Sequence, residues 1–72
     1  MKEVRIKDEY IKLCQALKFA GMVENGADAK FEIQDGLVKV NGEVELQRGK
    51  KLRNGYIVEY HGEEFTIVSP FK

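Results

Sequence analysis

Residues 36 to 42, Gly36-Leu37-Val38-Lys39-Val40-Asn41-Gly42, compress a helix stop, a short strand and a tight turn into seven positions. Gly36 can take the positive φ that ends a helix, and Asn41-Gly42 suits both left-handed positions of a two-residue hairpin turn. Val38 and Val40 alternate with Lys39, so this strand has one apolar face and shows a cation on the other. The chain before this stretch must be helical, and the chain after it must return beside it. A lysine held on a rigid hairpin next to a helix points to a surface that meets something negative.

The rest of the chain fits around this punctuation. Val4 and Ile6 alternate with Arg5 and Lys7, which predicts an N-terminal strand. Asp8 is placed as an N-cap, and Tyr10, Leu13, Cys14, Leu17 and Ala20 then follow helical spacing up to a stop at Gly21. Lys12, Gln15 and Lys18 fall on the outer face of that helix. Asn25 caps a second helix over about residues 26 to 35, with Asp28 in its first turn and Ala29 and Ile33 facing the core. Ala27 and Ala29 predict close packing of the two helices. The remainder is β: a return through Val44, a loop or irregular strand over residues 47–53, a turn at Asn54-Gly55, and a hairpin of 56–60 with 64–68 around His61-Gly62. Pro70 closes the last strand, and the terminal strands 4–6 and 65–68 can pair to close the sheet.

At 72 residues the chain is one domain, near the lower limit for folding without staples. A single cysteine, Cys14, excludes an internal disulfide and a Cys/His metal cluster. No apolar run is long enough to cross a bilayer and no signal-peptide pattern opens the chain, so the expectation is a cytoplasmic, soluble monomer without membrane contact. Twelve basic and twelve acidic residues give a net charge of zero, which argues against a protein that coats nucleic acid by bulk charge. Distribution says more than the sum. Between residues 46 and 53 stand Arg48, Lys50, Lys51 and Arg53 with no acid, whereas Glu59, Glu63 and Glu64 crowd the C-terminal part.

Catalysis finds no support in these residues. There is no Ser/His/Asp spacing and no Gly-rich loop ahead of a helix, and His61 falls at a hairpin tip as a solvated turn residue. Cys14 on an apolar helix face reads as a small buried hydrophobe, and no cofactor or metal is implied. The basic loop is different. Lys30 on the second helix and Lys39 on the hairpin are expected to converge with it, and such clusters of Lys and Arg bind phosphates. Tyr56, Tyr60 and Phe65 lie at strand spacing and read as core rather than as base-stacking platforms.

Together, Leu13-Cys14-Gln15-Ala16-Leu17-Lys18-Phe19-Ala20-Gly21, Asn25-Gly26-Ala27-Asp28-Ala29-Lys30, the stretch from Gly36 to Gly42, and Gly55-Tyr56-Ile57-Val58 resemble the S-four RNA-binding domain, or αL motif. The resemblance covers about residues 9 to 60, and the small size is similar to the stand-alone bacterial YaaA/YbcJ-like group. It implies an α+β fold, with two packed helices against a small twisted, mainly antiparallel sheet and extra strands at the termini. It also implies non-catalytic binding of structured RNA, ribosomal or tRNA-like. Lys30 matches a basic position of the family's RNA-facing helix and Lys39 a polar position on the hairpin strand, while Asn25 stands at the family's serine cap. Gly26 replaces the arginine that usually comes next, a planar bidentate phosphate binder. The start of that helix still offers unpaired N–H groups to a phosphate, although Asp28 opposes one there. The expected RNA contacts are therefore Lys30, Lys39, Arg48, Lys50, Lys51 and Arg53, with Lys18 and Lys12 behind them. Asn41 shapes the turn. The competing expectation, favoured by the zero net charge and by Gly26, is a protein-interaction module that keeps the fold without RNA binding.

Overall fold

The computed structural model describes residues 2–71. Strand β1 spans Lys2–Arg5, strand β2 spans Tyr10–Lys12, and helices α1 (Leu13–Phe19) and α2 (Gly26–Gln34) come next. Strands β3 (Val38–Val40), β4 (Glu43–Val44), β5 (Lys51–Arg53), β6 (Ile57–Tyr60) and β7 (Glu63–Val68) complete the chain. Five strands form one sheet in the order β1-β7-β6-β3-β4, antiparallel except for the parallel pair β1 and β7, and β2 and β5 form a separate antiparallel ribbon.

The first helix is shorter than its periodicity predicts. Residues 10–12 are strand, because their backbone pairs in register with 53–51, and Asp8 caps nothing: its carbonyl instead accepts the Ser69 hydroxyl at 2.6 Å. Lys12 therefore precedes the helix rather than lying on its outer face. With no side-chain cap, α1 satisfies its first N–H groups elsewhere: those of Leu13 and Cys14 donate to the carbonyls of Lys50 and Arg48 at 2.9 and 3.1 Å.

Both helices end as the sequence predicts, at Gly21 and Gly36, each with φ of 76°. In each the glycine N–H and the next N–H reach back to carbonyls of the last turn (Gly21 to Lys18, Met22 to Leu17; Gly36 to Ile33, Leu37 to Glu32). The Lys2 ammonium also donates to the Ala20 carbonyl, placing a cation at the negative end of α1. Asn25 caps α2, its side chain accepting from the Asp28 N–H at 3.0 Å. Ala29 and Ile33 are buried as expected, but Ala27 is exposed, because it lies on the face of α2 turned away from them. Cys14 is only partly buried.

One apolar cluster joins the layers. Leu13, Ala16 and Leu17 from α1 and Ala29 and Ile33 from α2 pack with Val38, Val58, Phe65 and Ile67 of the sheet and with Leu52 of the ribbon. Tyr60 links β6 to α2. Burial pushes its phenol pKa up, and the Glu32 carboxylate, to which the hydroxyl donates, and Asp28 push it further. Phe65 is fully buried, Tyr60 nearly so and Tyr56 packs at the edge, so these aromatics are core, as their strand spacing predicts.

Leu52 is the ribbon's anchor in this core, and it is fully buried. Leu52→Ala should cost about 2–5 kcal/mol in urea unfolding. It should also strip hydrogen-exchange protection from the Leu13 and Cys14 amides more than from those of β6.

Candidate nucleic-acid interface

Side chains alternate along a strand and cross-strand partners share a face. The register pairs Tyr10 with Arg53, Ile11 with Leu52, and Lys12 with Lys51. Ile11 and Leu52 consequently point to the core, while Tyr10, Lys12, Lys51 and Arg53 form the outer, exposed face of the ribbon. The Lys51 ammonium lies 4.8 Å from the centre of the Tyr10 ring, and the Arg53 guanidinium carbon lies 5.7 Å from it. Each such contact is worth about 0.5–1 kcal/mol at an exposed site, enough to bias two long side chains toward one place.

Lys12 faces Lys51 directly, and like charges in that position destabilise a ribbon. No direct ion pair relieves them. Among the described residues neither they nor Arg53 has a carboxylate oxygen within 4.0 Å, and the ion pair present is Arg5 with Glu3, at 3.1 Å. Asp8 and Glu9 border a shallow recess with Tyr10, Lys12 and Gln15, so the acids stand at one end of the ribbon.

The other expected residues are placed less uniformly. Arg48 is exposed on the loop whose carbonyl caps α1. Lys50 is half-buried and borders a recess of about 260 Å³ with Asn41, Glu43, Glu45 and Tyr56, so the loop does adjoin the β3–β4 hairpin. Lys18 is exposed on α1, and Lys30 is half-buried on α2. Lys39 points outward between Val44 and Glu59, with Glu64 beyond Glu59 in the same row. Its field is offset by those carboxylates. The pairings that build the ribbon include neither Lys30 nor Lys39.

Two features of the site escaped sequence reading. Tyr10 fitted a helical stripe, and its place beside Lys51 and Arg53 comes from a partner strand about forty residues away. A signal was present: Tyr10-Ile11-Lys12 and Lys51-Leu52-Arg53 share one alternation, with an aliphatic residue between two that seek water. The second feature is a cleft between the β1–β2 connection and α1, bordered by Lys7, Tyr10 and Phe19. At Gly26 the structure is open, since an added Cβ would meet nothing within 4 Å and the backbone needs no positive φ. Among the described residues no three His, Cys, Asp or Glu side chains gather as a metal site, and no helix is long and apolar enough to cross a membrane.

Asn41 works as turn chemistry. It holds φ of 53°, its N–H donates to the Ile57 carbonyl at 2.8 Å, and its side-chain oxygen accepts from the Ile57 N–H at 2.9 Å.

Two helices against a five-stranded mixed sheet, with the tight β3–β4 hairpin behind the second helix, define an α+β domain of the αL type. The S4 domain model matches residues 4–68, so the chain belongs to the S4 domain family. It is 38% identical over 63 residues to the "Putative RNA-binding protein YbcJ" of Escherichia coli, covering 88% of this chain and 90% of that protein. It is 39% identical over 67 residues to the "Probable ribosome maturation protein RlbA" of Bacillus subtilis, covering 92% and 94%. The solution structure of E. coli YbcJ, described as revealing an αL motif involved in RNA binding, superposes with a TM-score of 0.73 at 36% identity, covering 94% of this chain and 87% of that one.

Asn41→Ala removes one strand-bridging hydrogen bond and leaves a β-carbon at positive φ without the local bonding that suits asparagine there. The variant should lose about 1–2 kcal/mol of stability, read from its urea midpoint.

Proposed function

We propose that this protein binds structured RNA without catalysis, laying phosphates along the outer face of the β2–β5 ribbon. The observation that carries the reading is the exposed group of Lys12, Lys51 and Arg53, in ion pairs with no carboxylate among the described residues, with Lys51 and Arg53 held on Tyr10 and the ribbon fixed to the core through Leu52. Arg48 and Lys50 extend this face toward the start of α1 and the β3–β4 hairpin. Lys18, Lys30 and Lys39 make outlying contacts, Lys39 the weakest because Glu59 stands opposite it. Two relatives whose names speak of RNA binding and ribosome maturation support the same reading, and ribosomal RNA is the ligand we favour.

The geometry suits a folded RNA. An ordered ribbon offers fixed charges that match a rigid arrangement of phosphates, and the ordering entropy is already lost on folding. Because the affinity comes from counterion release, it should fall steeply with salt.

Lys51 and Arg53 are exposed, so the double variant Lys51→Glu with Arg53→Glu should fold. Its affinity for a ribosomal RNA fragment should fall by at least about tenfold at moderate salt, and its log–log salt slope should flatten by roughly one to two units. Fluorescence anisotropy across a salt series reads both. Unchanged RNA affinity of the folded variant would overturn the ribbon as the binding face, and no RNA affinity of the wild type would overturn the reading in favour of a protein-interaction module. Gly26→Arg tests the same surface by gain. With open space around Gly26, the substitution should leave the melting temperature within a few degrees and tighten RNA binding by roughly three- to tenfold.

A further inference from the structure

The cleft between the β1–β2 connection and α1 shares Tyr10 with the ribbon and has a volume of about 530 Å³. That is within the range of small-molecule sites, roughly 300–1,000 Å³. Ile6, Ile11 and the Phe19 ring supply its apolar border, and Lys7 and Lys18 stand on its rim with Asp8 as the carboxylate there. Ile6 and Ile11 pack against the core. Phe19 does not: it is 68% exposed at the end of α1, outside the apolar cluster. The core makes no use of this ring.

The chemistry around the cleft narrows its occupant. A flat apolar body would cover Phe19 and the two isoleucines, and anionic groups on either side of it would meet Lys7 and Lys18. A nucleotide unit has this construction. A paired base keeps its faces inside the stack, so the base must be an unpaired one, as in a bulge or loop. Continuity with the ribbon through Tyr10 lets one RNA reach both places. We infer that this cleft takes an unpaired nucleobase from the RNA bound on the ribbon, the base covering Phe19 and its flanking phosphates approaching Lys7 and Lys18. The inference rests on the RNA reading above.

Three RNA hairpins test it: one fully paired, one with a single bulged adenosine, and one with an abasic nucleotide at the bulge. The wild-type protein should prefer the adenosine bulge over the other two by about tenfold, the scale of one base–aromatic contact. Phe19→Ala should erase that preference and leave affinity for the paired hairpin unchanged, and Phe19→Tyr should restore it. Phe19 is exposed, so neither change disturbs the core. Equal affinity of the wild type for all three hairpins, or a preference that survives Phe19→Ala, overturns the inference while leaving ribbon binding intact. A preference shared by the adenosine and abasic bulges also overturns it, since backbone flexibility alone would then be read. No affinity for any of the three, nor for ribosomal RNA, overturns the RNA reading itself.

Discussion

The antiparallel pairing of residues 10–12 with 51–53, carried on into the first turn of α1, is the interaction on which the rest of the molecule leans. A seven-residue helix is far too short to be stable alone. Here its leading N–H groups are met by the carbonyls of Arg48 and Lys50, and its far end by a glycine turn and the Lys2 ammonium. The same bonds fix the basic loop. Its backbone is helix cap and strand at once, so its charges sit on ordered structure even though their side chains are in water. The cap also occupies the first N–H groups at the positive end of α1.

Much of this was legible in the chain because it rests on local chemistry. The two hairpin turns, the α2 cap at Asn25, both glycine stops and the alternation of β3 depend on residues a few positions apart, and each is found where those residues predict it. Residues 10–12 were not legible in the same way. Tyr10, Leu13 and Leu17 match a helical stripe, and three residues are too few to show a strand period, so a partner distant in sequence decided the outcome. Ala27 shows the same limit, because a small side chain fits a packed or an open face equally well. For the site, the identity of the cations was readable and their company was not. Register alone puts Lys12 opposite Lys51 and Glu59 opposite Lys39.

The zero net charge is therefore a poor guide to what the surface can do. At physiological salt a charge is felt over about 8 Å, so an approaching polyanion responds to the face it meets and not to the sum. The ribbon gathers cations on one side of a strand pair, while in the outer row of the main sheet Lys39 is followed by Glu59 and Glu64. A chain this short separates its charges by topology. The ribbon face attracts a polyanion, and the row with one lysine against two glutamates does not.

The parallel pair of β1 and β7 sets Lys2 against Phe65, residues separated by almost the whole chain. Synthesis therefore delivers the first strand long before the strand that completes its hydrogen bonds. Until β7 emerges, β1 presents an unpaired edge, and Lys2 has little to hold it near the end of α1. The entropy of closing so long a loop grows only logarithmically, but contacts this distant slow the search for the native state. Completion of the sheet therefore waits for β7. Strands β1 and β7 are then tied together beyond their pairing by Ser69, whose hydroxyl reaches the Asp8 carbonyl.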